Sequence, residues 1–170
     1  MKAALFPGFA VVIALFAAAC GRDSRVANRP AAGTESAPTR SGCSHAACGN
    51  GFFIDVNAIA GCNVGATCSM ALTLVATGDY HINDEYPYKF RAEEVPGVEF
   101  LGTDVTGNNV FSKTAQNWSK KDERTGTMTV TFQSADKGTK PIGGLFKLSV
   151  CSAQNCQLEQ QQVTASVEVS

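Results

Sequence analysis

The chain has little histidine, only His45 and His81 in 170 residues, and a single tryptophan. Acid–base chemistry near neutral pH draws most often on imidazole, so a histidine-dependent catalytic triad has almost nothing to work with. His45 stands in a stretch of small polar residues, and His81, within Tyr80-His81-Ile82-Asn83, reads as a polar residue at a strand edge. An excess of charge is missing too: 14 basic residues face 15 acidic ones, for a net charge of −1. The basic cluster Lys120-Lys121 and Arg124 is broken by Asp122 and Glu123, which leaves no basic face for nucleic acid. No glycine-rich phosphate loop, paired-histidine metal motif or serine-nucleophile elbow is present, and no cofactor is expected. No segment carries a 3.6-residue apolar period framed by helix caps.

What is present begins with an address. Met1-Lys2 gives a short positive end, and Ala3 to Ala19 is an apolar run broken by Pro7-Gly8 and closed by Ala17-Ala18-Ala19. The run is too short and too interrupted for a membrane span and reads as a secretory signal over residues 1–19. Cys20 follows at once. Phe16-Ala17-Ala18-Ala19-Cys20 resembles the bacterial lipoprotein signal, in which small residues precede a cysteine that is lipidated and becomes the mature N-terminus. The alternative is an ordinary cleaved signal. The resemblance implies lipidation of Cys20, a membrane partner through that lipid and, with Gly21 in place of an aspartate, an outer-membrane address facing the periplasm or the exterior. Several acyl chains anchor a protein stably where one is marginal. Residues 20–51 then read as a flexible tether, poor in large aliphatics and spanning roughly 30 Å as a coil. Inside it, Cys43-Ser44-His45-Ala46-Ala47-Cys48 offers three of the four ligands that zinc sites usually need, so a local disulfide is the favoured reading.

Residues 52–170 change character and are long enough for one domain with a core. Apolar residues alternate with polar ones in Phe52–Ala60, Ser69–Thr77 (Met70, Leu72, Leu74, Ala76), Tyr86–Ala92 and Thr127–Gln133 (Met128, Val130, Phe132). Leu145–Val150 and Val163–Val169 repeat the device, and Val95–Leu101 and Val110-Phe111 are shorter candidates. Turn residues punctuate these runs, at Gly61, Gly78-Asp79, Pro96-Gly97, Gly107-Asn108-Asn109, Gly126, Gly138 and Gly143-Gly144. The pattern predicts an all-β fold, an immunoglobulin-like antiparallel sandwich of about seven strands.

Six cysteines remain beyond Cys20, in three close pairs: Cys43/Cys48, Cys62/Cys68 and Cys151/Cys156. About fifteen connectivities are open in principle, and local pairing is the simplest. The last pair sits at the mouth of a predicted hairpin, where opposed cysteines meet the Cα spacing of roughly 4.4–6.8 Å that a disulfide requires. Parity places Phe146, Leu148 and Val150 on one face and Lys147, Ser149 and Cys151 on the other, so the Cys151 sulfur is expected to be reachable from solvent.

At these residues a second resemblance enters. Leu72 to Phe90 with Gly78-Asp79-Tyr80 leading a strand, Val95-Pro96-Gly97-Val98, the Thr127–Phe132 strand and Leu148-Ser149-Val150-Cys151 through Cys156 resemble the N-terminal immunoglobulin-like domain of the disulfide reductase DsbD. The resemblance implies that Cys151 and Cys156 are a redox pair exchanging with a thioredoxin-like partner. The alternative is a non-catalytic structural or binding lipoprotein whose disulfides only fix its loops. The anchor itself is testable: Cys20→Ala should abolish acylation and move the protein from membranes to the soluble fraction. A variant that still pellets with membranes and carries no lipid would contradict it.

Overall fold

Alternation governs burial in the strands Cys68–Ala76 and Thr125–Ser134, whereas the strand Gly138–Cys151 is buried on both parities over 142–144 and 148–151. The computed structural model describes residues 43–58 and 61–170, which contain strands and turns and no helix. Cys20 and the signal segment lie outside them. The strands are β1 (Ala47–Gly49), β2 (Phe52–Ala58), β3 (Cys68–Ala76), β4 (His81–Ile82), β5 (Lys89–Ala92), β6 (Val98–Phe100), β7 (Val110–Ser112), β8 (Trp118–Lys120), β9 (Thr125–Ser134), β10 (Gly138–Cys151) and β11 (Cys156–Val169). In β3 every second residue from Cys68 to Ala76 is buried and the residues between are half-exposed. In β9 Met128, Val130 and Phe132 are fully buried, as parity predicts.

Two sheets result. One has the order β1-β2-β3-β9-β6, with β8 beside β6 on the same flank of β9; the other has the order β11-β10-β5-β7, with β4 also on β10. In the lettering of immunoglobulin sandwiches β2-β3-β9-β8 correspond to A-B-E-D and β11-β10-β5-β7 to G-F-C-C′, with β1 added outside A and β6 inserted between C and C′. β6 and β8 pair with opposite halves of β9 on the same flank. The expected all-β sandwich is therefore present. The described residues hold eleven strands against about seven expected; β1, β4 and β8, with two or three residues each, are too short to show an alternation and are not predicted by it. β1 lies within the stretch read as tether and pairs Ala47 with Ile54, so sheet structure begins upstream of Gly51.

The core is filled from both inner faces. Phe90, Phe111, Phe132, Phe146 and Tyr88 are all fully buried beside Met70, Leu72, Leu74, Leu148 and Val150. Tyr88 stacks on Trp118 at 4.1 Å, and Phe100 meets Phe111 edge-on at 6.3 Å, a geometry that aromatic pairs favour. Close approach of two neighbouring strands of one sheet demands glycine at a position of β10. A Cβ on Gly144 of β10 would stand 2.1 Å from the Arg91 carbonyl oxygen of β5.

Strand register makes a sharp forecast. Phe132→Ala should cost roughly 3–5 kcal/mol in a denaturant titration, the usual effect of emptying a buried aromatic site. Thr131, its outward neighbour, gives only a 3.3 Å hydrogen bond to the Leu101 carbonyl, so Thr131→Ala should cost about 1 kcal/mol or less. Equal losses would show the register to be wrong by one residue.

Candidate functional site

The three cysteine pairs form as spacing suggested: Cys43–Cys48, Cys62–Cys68 and Cys151–Cys156, with Cα separations of 6.0, 5.2 and 3.9 Å. The last pair closes the β10–β11 hairpin, whose register runs without a break from Gly138↔Val169 to Cys151↔Cys156. Its Cα atoms oppose each other in a non-hydrogen-bonded pair, the closer of the two antiparallel spacings, and lie nearer than the anticipated range. Ser152 to Asn155 make the loop, tied by Ser152 N–H donating to the Asn155 carbonyl at 2.8 Å. The Ser152 hydroxyl accepts from the Gln154 and Asn155 amides at 3.3 Å.

Accessibility departs from the expectation for Cys151. Its side chain is on the outward parity, yet only 6 % of its surface is exposed, whereas Cys156 is exposed. Parity assigns a face but not a neighbour. β10 is flanked at this point by β11 and also by β4, which sets His81 across from Cys151 and Ile82 across from Val150. Ser149, on the same outward parity, is fully buried as well.

The segment after β4 accounts for Ser149. Asn83 donates its side-chain amide to the Ser149 hydroxyl at 3.2 Å, and the Tyr88 hydroxyl donates to the Ser149 carbonyl at 2.6 Å. The same Tyr88 oxygen accepts the Asn83 backbone N–H at 3.0 Å. Burial pushes the Tyr88 phenol far above its ordinary range, so it stays a neutral donor. Tyr88 was legible only as an inward aromatic. Its polar role depends on two groups, one of them 61 positions away.

The remaining candidates are occupied otherwise. Cys43 and Cys48 are joined, and His45 stacks on Phe53 at 3.9 Å while its Nδ1 lies 2.6 Å from the Asp55 carboxylate. These groups brace the start of β2 and do not converge on a common point where a metal could sit. Cys62 and Cys68 are both buried at the β2–β3 connection, with Cys62 bridged to Val169.

Beside the hairpin mouth lies a feature the sequence did not reveal. An open polar groove of about 370 Å³ is lined by Asn50-Gly51, Thr77 to Tyr80, Ser152 and Gln154. Tyr80 organises it: its hydroxyl accepts from Gln157 at 2.5 Å and from Asn50 at 3.4 Å. Gly51, at φ +75°, has no room for a Cβ, which would stand 2.1 Å from the Tyr80 ring. The turn residues were visible in sequence, but no local pattern says that three turns meet.

The Tyr88 network yields a prediction. Tyr88→Phe keeps the ring but removes the hydroxyl that bonds both the Asn83 N–H and the Ser149 carbonyl, leaving these two only their own 3.5 Å bond, which should cost about 1 kcal/mol. Amide hydrogen exchange should rise locally over residues 81–88. An unchanged exchange pattern would mean that the hydroxyl does not hold this segment down.

Comparison with known proteins adds little about activity. No protein-family profile and no curated protein matches the chain. Among solved structures, a cohesin module from a family 33 glycoside hydrolase of Clostridium perfringens is similar over 69 % of this chain and 94 % of its own, at 12 % identity and a TM-score of 0.39. A likeness that distant carries no argument about what this sandwich binds or does.

Proposed function

We propose that this chain is a lipid-anchored, outer-membrane envelope protein whose β-sandwich is a non-catalytic structural or binding module, with its three disulfides serving as local braces. The observation that carries the reading is the 6 % exposure of Cys151 beside an exposed Cys156. Thiol–disulfide exchange proceeds by thiolate attack on one sulfur and expulsion of the other. Only Cys156 is open to attack, so Cys151 would have to leave as a thiolate within a buried position. Burial disfavours the charged form and makes it a poor leaving group. As a brace the bridge has a clear role: it holds the loop that forms one wall of the polar groove. Closing so short a loop should stabilise the fold by about 2 kcal/mol.

The exposed Cys156 sulfur favours the second reading, exchange with a thioredoxin-like partner that would form its mixed disulfide there. The reduction potential of the Cys151–Cys156 bridge separates the two. A structural brace should lie below about −300 mV, and Cys151 should resist alkylation in mild thiol until the domain unfolds. A potential well above that value, with a mixed disulfide trapped on Cys156, would establish the exchange module instead.

A further inference from the structure

The sheet edges of this sandwich are unequal. β1, β6, β7 and β8 have three residues each, whereas β11 has fourteen and ends its sheet. An edge strand carries a row of unpaired N–H and C=O groups, and proteins usually blunt such edges by shortness, lysine, proline or a bulge. The four short edges use the first device. β11 uses none: its residues 156–169 contain no lysine, arginine or proline, and its pairing with β10 is continuous.

The free groups can be assigned. On β10 the carbonyls of Gly143 and Ser149 point toward the β5 and β4 side, accepting from Glu93 and Asn83. Odd residues of β10 therefore face that side and even ones face β11. The register pairs even residues of β10 with odd ones of β11, which leaves Cys156, Leu158, Gln160, Gln162, Thr164 and Ser166 with outward backbone groups. Ser170 agrees with this parity, since its N–H and carbonyl bond outward to Cys62 and Val64. Among the described residues that segment closes the C-terminal end of the edge; β1 and β2 pass near the rest of it, but no hydrogen bond reaches the outward backbone groups of residues 156–166.

We propose that the β11 edge is a homodimer interface, where two copies join their outer sheets through antiparallel β11–β11 pairing. The strand is complementary to itself. Pairing centred on Gln161 sets Gln160 opposite Gln162 of the second copy and Leu158, 69 % exposed, opposite Thr164. Glu159 then faces Val163 and Glu168 falls past the pairing, opposite Gln154, so no like charges meet. With a net charge of −1 the two copies hardly repel. A two-fold interface of this kind closes on itself and stops at the dimer.

Proline provides the test, because at an even position of β11 it removes an outward N–H and no bond to β10. Gln160 is suited to it, being exposed. Sedimentation equilibrium of the full chain in density-matched detergent should show a dimer for the wild type. Gln160→Pro removes two donors per dimer and should raise the dissociation constant by roughly tenfold or more, with the thermal unfolding midpoint unchanged when both proteins are diluted to monomer. Should the proline variant fold poorly, Gln160→Lys places a charge near the two-fold axis and should split the dimer in the same way. A monomeric wild type, or a dimer that survives both substitutions in folded protein, overturns the proposal.

Discussion

β10 is paired with β11 along its whole length and with β5 and β4 over residues 144–147 and 150–151 of its other flank, and much of the molecule is arranged to satisfy it. A buried strand must find partners for every N–H and C=O on each flank. β11 takes one flank over all fourteen residues, while β5 and β4 share the other. Phe146, Leu148 and Val150 can then face the core with no backbone group stranded beneath them. A slip of one residue would turn these three side chains toward solvent and would also move Cys151 out of opposition with Cys156. The hydrophobic face and the disulfide thus demand the same register.

Polar groups in the interior follow the same rule. Among the described residues no buried side-chain nitrogen or oxygen lacks a hydrogen-bond partner. Ser112 donates to the Asp104 carboxylate at 2.6 Å, and Thr106 donates to it from both its hydroxyl and its amide. These bonds hold the Asp104 carboxyl below its ordinary range and tie the β6–β7 loop to β7. Tyr88, Asn83 and Ser149 do the corresponding service for the β4–β5 connection. Polar chemistry here is spent on fastening loops. No cluster of three or more metal-binding side chains assembles among the described residues.

The β10–β11 hairpin collects the features that distinguish this sandwich. Its tip contributes Ser152 and Gln154 to the polar groove, its mouth carries a disulfide, and its outer strand is the long edge of its sheet. A local bridge closes few residues and stabilises modestly. Its larger consequence is geometric: it prevents fraying where the ladder would otherwise end, so the groove wall and the edge keep their shape.

The amino-acid order alone was enough for strand faces, cysteine pairing and the hairpin, because all three depend on neighbours close in sequence. A period of two in Met70, Leu72 and Leu74 or in Met128, Val130 and Phe132 names the buried side chains with no knowledge of the partner sheet. Five intervening positions or fewer make Cys151–Cys156 and its companions the pairs of lowest loop-closure cost. Accessibility was another matter. Cys151 is shielded by its place between β11 and β4, and β4 has only two residues and no alternation to announce it. The Tyr88 hydroxyl and the Tyr80 groove join segments 61 and 77 positions apart, in bonds to Ser149 and Gln157. Only the closed sandwich brings such groups together, since a local pattern records which face a side chain takes and holds no record of what the chain later lays against it.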